Sequence, residues 1–292
     1  MTELVVRPKL DLVFKEFFSN PTNADLLRSL LSCVMRIDAN TIDSIAYENT
    51  DELPEFPDDK YSRLDLKLVV DGVIVDVEMQ RSDEKNFVDR SLYYWSKMFG
   101  SAIVKGQNYN ELPKTIVISF LDFVLFDWDE YVSECALTDV LHNRKVTDKL
   151  GIYFLELPKV KETNDKLALW LKFLRAETLE ELDTIESKGD TDMSQAVKVI
   201  RQMNEDNLMR ERARMREEAV IERVSGFAFA RKKGIEEGLE KGKAIGIEKG
   251  KAIGIEKGKV EIVQELLKLN MPIDTIVAVS KLPIETIKGL LN

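Results

Sequence analysis

The dipeptide Asp71-Gly72 constrains this chain more than any other feature. It separates two strand-like runs, 63–70 and 73–80, and Asp-Gly is a pair favoured by the two-residue type I′ hairpin turn. Such a turn sets the register of its flanks: Asp65 faces Glu78, Arg63 faces Gln80 and Lys67 faces Asp76. Side chains alternate between the two faces of a strand. Leu64, Leu66, Leu68, Val70, Val73, Val75, Val77 and Met79 therefore share one face, with no polar residue among them. Arg63, Asp65, Lys67, Asp76, Glu78 and Gln80 share the other.

Like charges directly opposite in a sheet are destabilising, so the Asp65–Glu78 pair needs an explanation. A divalent cation between the two carboxylates would relieve the repulsion. Hard cations such as Mg²⁺ are held by one or two carboxylates, with water and phosphate in the other positions. Two plainer readings stand beside it. The polar face is solvated, with Arg63 and the Lys67–Asp76 pair screening the acids, or a bulge at the turn shifts the register and separates them.

Composition narrows the chemistry. A single histidine, His142, rules out a His-rich metal cluster or an H-E-x-x-H site, and it reads as a surface residue. Two cysteines, Cys33 and Cys135, read as core thiols and cannot build a zinc site. Neither a G-x-G-x-x-G nor a Walker A pattern is present. Carboxylates are the catalytic groups that remain. No run approaches a membrane span and the start carries no signal-peptide pattern, so the expected location is the cytoplasm. The net charge of −10 arises within residues 1–160, and residues 161–292 are balanced. Because DNA affinity comes mainly from Lys and Arg, an acidic domain of this kind would bind DNA weakly and in a salt-sensitive way.

Helical patterns are expected over 8–20, 24–35, 86–106, 165–174 and 179–187, and strands over 42–47 and 115–121, with an edge strand over 153–157. A long charged helix over 193–233 carries Arg201, Arg210, Arg212, Arg214 and Arg216. It reads as solvated, laced by i,i+4 pairs to Glu211, Glu217 and Glu218; phosphate contact is the alternative. Glycines then recur every fourth residue from Gly234 to Gly258 within near-identical eight-residue units. A period of four drifts about 40° per repeat around a helix. The stripe reads as an extendable spacer, with close helix approach in an oligomer as the rival. Residues 260–292 suggest three short helices, the last two similar to a helix-turn-helix, and a packing or dimerisation module is favoured over a DNA reader. The expected divisions are thus 1–190, 191–233, 234–259 and 260–292.

The pattern Asp65 … Glu78-Met79-Gln80 resembles the signature of the PD-(D/E)XK nuclease superfamily, and within it the Rpn group of recombination-promoting, transposase-like nucleases, in which Gln replaces the usual Lys. Other ordered segments carry the same likeness: Asp11-Leu12-Val13-Phe14-Lys15-Glu16-Phe17-Phe18, the lead from Asp59 into Asp65, Arg90 with Tyr94, Tyr109 with 112–118, Glu156-Leu157-Pro158-Lys159, and 170–174. The resemblance implies a restriction-endonuclease-like α/β fold, a mixed sheet with a catalytic hairpin flanked by helices, followed here by the helical glycine-repeat extension. It implies a Mg²⁺-dependent DNA endonuclease, with Mn²⁺ or Ca²⁺ as alternatives. Asp65 and Glu78 carry over as metal ligands, with Asp11 as an outer ligand or else a first-turn acid. Gln80 would orient water, and Lys15 or Lys67 would offset phosphate charge. Arg63, Lys67 and Arg90 are the expected DNA contacts, and a homodimer is the expected assembly. The alternative is a catalytically decayed nuclease acting as an oligomeric DNA- or protein-binding module.

Overall fold

The computed structural model describes residues 3–48, 51–52, 62–63, 65–83, 85–163 and 165–290. Helices α1 (Asp11–Ser19) and α2 (Ala24–Met35) open the chain, followed by strand β1 (Ile45–Tyr47). Two short strands, β2 (Asp51–Glu52) and β3 (Ser62–Arg63), pair with each other. The hairpin follows as β4 (Leu66–Val70) and β5 (Val73–Gln80). Helix α3 (Phe87–Ser101) crosses to β6 (Thr115–Leu121). Then come β7 (Val132–Cys135), the small pair β8 (Thr138–Asp139) and β9 (Arg144–Lys145), and β10 (Leu150–Glu156). The remainder is helical: α4 (Lys166–Arg175), α5 (Leu179–Glu186), α6 (Thr191–Glu205), α7 (Asn207–Lys268), α8 (Ile273–Ser280) and α9 (Ile284–Gly289).

Among the described residues the main sheet has the strand order β1-β4-β5-β6-β10-β7. Pairing is antiparallel from β1 to β5, parallel across β5-β6 and β6-β10, and antiparallel again to β7. The turn has the type I′ signature, with Asp71 at φ 49° and Gly72 at φ 80°. Its register is the expected one where the ladder runs, with Lys67 opposite Asp76 and Leu66 opposite Val77. Asp71 also accepts hydrogen bonds from the Ser44 and Asp43 N–H groups at 2.8 and 3.2 Å, which ties the turn to β1's approach and lowers the Asp71 pKa.

The sheet's two faces bury different things. Leu66, Leu68, Val70, Val75, Val77 and Met79 face the larger core, with Ile116, Ile118, Phe120, Tyr153 and Leu155 beside them. Phe14, Phe17 and Phe18 of α1, Trp170 of α4 and Met193 of α6 close that core. Each such large side chain contributes about 1.5–3 kcal/mol by leaving water. The indole N–H of Trp170 donates to Ser29 Oγ at 3.3 Å, and Ser29 donates to Asp192 at 2.6 Å, so these two buried donors are satisfied. The opposite face packs Val117, Leu121, Ile152 and Phe154 under Phe87 and Met98 of α3. Asp76 and Glu78 are on this covered face and are themselves buried, so it is not the solvated surface weighed above.

Four expectations change. The strand at 153–157 is not an edge: β10 lies between β6 and β7, and both of its faces are apolar as a central strand requires. Cys135 sits on the edge strand β7 and is exposed rather than in the core. The helix expected over 193–233 is broken at Asp206, which turns extended and whose carboxylate accepts the Met209 N–H at 2.9 Å, starting α7 afresh. Arg216 and Glu217 form ion pairs with distant residues instead of along their own helix.

The chain divides into a unit of residues 1–221 and a unit of residues 222–292. The first holds the sheet, and Met193, Ala196, Val197, Ile200, Met209 and Ala213 bury into its core. Within the second, Val263, Ile276 and Ile287 form a small apolar centre, and the repeat glycines lie within α7.

Candidate active site

Asp65 directly precedes β4, and its carboxylate accepts the main-chain N–H of Met79 at 3.0 Å. A longer β4 ladder would have used that donor for backbone pairing; here a side chain takes it. The break also accounts for a further correction. Arg63 does not face Gln80 but pairs with Asp51 in the small β2-β3 ladder. Its side chain, with residues 53–61 and Leu64, lies outside the described residues.

Hydrogen bonding to Met79 places Asp65 beside the adjoining Glu78, and the electrostatics show the cost. Burial pushes the Asp65 carboxyl up to about 6, against the Met79 N–H that lowers it; Asp11 raises it further while Lys15 and Arg216 lower it. Burial raises Glu78 more, to about 8, with the Asp65 charge as the next cause and Arg90 opposing. Glu78 thus resists ionising beside a charged Asp65, while Asp65 itself is raised chiefly by burial. Glu78 is in register with Ser119 of β6, whose buried hydroxyl makes no hydrogen bond among the described residues.

The flanking helices supply the cations. Asp11 opens α1, and Lys15 follows one turn later. Asp11 is gripped by Arg216 of α7, whose Nε lies 2.9 and 3.0 Å from the two carboxylate oxygens and whose Nη2 adds a further contact. Arg90 of α3 stacks on Phe87, its guanidinium carbon 4.7 Å from the ring centre, and lies 6.0 Å from the Tyr94 ring. Lys67 Nζ is 3.5 Å from Glu48, and Lys67 is not among the charges that shift Asp65 or Glu78. Gln80 donates its amide to the Ser82 carbonyl at 3.2 Å.

A supporting layer escaped the sequence reading. Buried Lys9 bridges Asp122 and Glu177 at 2.8 and 2.6 Å, and the Asp122 N–H donates to the Gln80 carbonyl at 2.9 Å. Arg81, next to Gln80, forms two bonds of 2.6 and 2.8 Å to Glu217 of α7. These partners are far apart in the chain and follow no period, so no sequence pattern announces them.

Among the described residues, no cluster of three or more His, Cys, Asp or Glu forms a closed metal cage. The donors fit a different kind of ion. Two adjacent carboxylates, both raised by burial and Glu78 also by the Asp65 charge, suit a hard divalent cation that keeps waters or takes phosphate oxygens for its remaining positions.

A sheet with two carboxylates on its central hairpin and a helix across each face defines a nuclease-like α/β protein. The family model described as PD-(D/E)XK nuclease family transposase matches residues 8–230, and the chain belongs to that family. Its fold is accordingly restriction-endonuclease-like, and the Rpn-type resemblance holds. No curated protein and no solved structure gives a significant match. Among the described residues no helix is long and apolar enough to cross a membrane.

Proposed function

We propose that this protein is a cytoplasmic DNA endonuclease that hydrolyses phosphodiester bonds with a divalent metal, Mg²⁺ or in its place Mn²⁺ or Ca²⁺, and acts in recombination or with mobile elements. The observation that carries the reading is the Asp65–Glu78 apposition, anchored by the Met79 N–H and resisting ionisation. A cation bound there would supply Lewis acidity and a nucleophilic water at neutral pH. The chain's own residues do the rest. Asp65 and Glu78 hold the ion, with Asp11 as an outer acid. Gln80, through its carbonyl oxygen, accepts a hydrogen bond from the attacking water and orients it. Lys15 offsets the charge that builds on the phosphate. Arg63, Lys67 and Arg90 contribute positive charge toward DNA. A homodimer would present two such sites.

The test is a supercoiled-plasmid assay in Mg²⁺, Mn²⁺, Ca²⁺ and EDTA, with wild type beside Asp65→Asn. Metal-dependent nicking that the substitution abolishes supports the reading; equal cleavage in EDTA overturns it. The rival is a decayed nuclease that binds DNA or protein as an oligomer. It draws on the Gln80–Ser82 bond, which engages the amide with its own chain. Retention of DNA without cleavage above the EDTA control would favour it.

A further inference from the structure

Position 80 holds a neutral amide where most of the superfamily carries a cation, so a charge that helps phosphoryl transfer must come from elsewhere. Resting on the nuclease reading above, we propose that Arg216, delivered from α7, is the catalytic cation that contacts the scissile phosphate and stands in for the absent lysine.

Two consecutive residues of α7 grip the two sides of the site. Arg216 holds Asp11 at the start of α1, and Glu217 holds Arg81 just past Gln80. One turn earlier, Arg212 lies 3.8 Å from Glu16. The three contacts fix the position and rotation of the start of α7, within residues 207–221, because 212 and 216 are i,i+4 neighbours on one helix face. Arg216 is therefore placed by tertiary structure and not by chance on a solvated helix.

The fork has donors to spare. A guanidinium carries five N–H groups in a plane and cannot lose its charge. Asp11 engages Nε and Nη2, and among the described residues Nη1 forms no hydrogen bond. The side chain is 45% exposed, so that edge is open to a ligand. Asp11 first, and Asp65 after it, keep the group more basic than an ordinary arginine, and burial only partly opposes them. Its charge thus acts on the carboxylate proposed to hold the metal. An open guanidinium edge beside such a carboxylate matches the bidentate geometry with which arginine binds phosphate. Lys15 also acts on Asp65, but as a point charge it cannot fix the orientation of a phosphate.

The plainer alternative is that Arg216 only docks α7. The full-length chain separates the two in four forms: wild type, Arg216→Gln, Arg216→Lys and Arg212→Gln. The last removes a docking ion pair from the same helix face and leaves Arg216 in place. Two quantities are measured: single-turnover plasmid cleavage at saturating protein, and duplex-DNA affinity in EDTA from 50 to 200 mM salt. The expected result for Arg216→Gln is a loss of about 10²–10³-fold in the saturated rate, with a salt slope reduced by about one. Arg216→Lys should recover part of the rate and the full slope, and Arg212→Gln should cut nearly as wild type. The proposal is overturned if Arg216→Gln cuts within threefold of wild type, or if Arg212→Gln loses as much. If wild type itself fails to cut in any metal, the nuclease reading falls. The salt slope then still decides whether Arg216 meets a phosphate, and an unchanged slope overturns that as well.

Discussion

The Met79 N–H donates to the Asp65 carboxylate at 3.0 Å, so the main chain beside one proposed metal ligand fixes the side chain of the other. An Asn at position 65 keeps an oxygen that can accept this bond but removes the charge. Asp65→Asn should therefore abolish metal-dependent cleavage while the protein folds as well as wild type, or better by about 0.2–1 kcal/mol as like-charge repulsion disappears. Asp65→Ala leaves the N–H without its acceptor and should cost about 1–3 kcal/mol. Urea denaturation of the two variants beside plasmid cleavage checks both statements. An Asp65→Asn protein that cuts like wild type sinks the site assignment.

Acidity makes a second prediction. Asp65 and Glu78 both have raised pKa values in the fold, so the metal-free protein is favoured while they remain protonated. That contribution is complete below the ordinary carboxylate range and is lost as pH rises through about 6 and then about 8. Thermal melting in EDTA should decline across that interval, and Glu78→Gln should flatten the decline. Mg²⁺ should raise the melting temperature more at pH 8 than at pH 6, because it competes with protons for the same oxygens. A melting temperature independent of pH between 6 and 8 in wild type would count against two acids that share one site.

Gln80 tests enzyme against binding module. If it orients water, Gln80→Ala should lose most of the metal-dependent cleavage, and Gln80→Lys should keep or raise it by placing a cation near the developing charge. Neither change should matter in a decayed site.

Glu217 anchors α7 through two bonds to Arg81, and those bonds hold its carboxyl below the usual range. Both side chains are mostly shielded from solvent. Glu217→Ala should destabilise the protein by about 1–3 kcal/mol, a charged hydrogen-bonded pair being broken, whereas the reversed pair Arg81→Glu with Glu217→Arg should recover part of the loss. Equal melting of all three forms would show that the clasp carries no stability.

The repeat gives a prediction of opposite sign. Apart from the neighbouring backbone of the helix itself, no atom lies within 4 Å of a Cβ added at Gly242, Gly246, Gly250 or Gly254. Alanine at each should strengthen α7 by about 1 kcal/mol per site, seen as a higher melting temperature of the helical circular-dichroism signal. On the spacer reading, removal of one eight-residue unit leaves cleavage and oligomeric state unchanged. Loss of a dimer on size-exclusion chromatography would instead indicate close helix packing.

Local order was legible from residues alone. Period-two alternation around Asp71-Gly72 predicts the hairpin register, and the expected spans of α2 and β6 match the structure. Asp65 and Glu78 followed from the same register. What stayed hidden was long-range. Arg216 meets Asp11 across 205 positions, and a helix charged on all sides shows no face that foretells this. Lys9 with Asp122 is hidden for the same reason. The misread edge at β10 came from a short run whose neighbour, β7, carries few apolar residues.

The hairpin turn also decides which kinds of genetic change this protein can absorb. In a strand, a slip of one residue sends every side chain to the other face. An insertion of one residue between Val70 and Val73 would thus drive Glu78 toward Phe120 and bring Val77 into its place. At this locus a change in length is a parity error that no later substitution repairs cheaply. Near the other end of the chain, a unit of eight can be copied or lost without moving a carboxylate of the hairpin to the wrong face. Variation in length is therefore channelled into α7, and variation at the site is confined to the identity of its residues, as at Gln80.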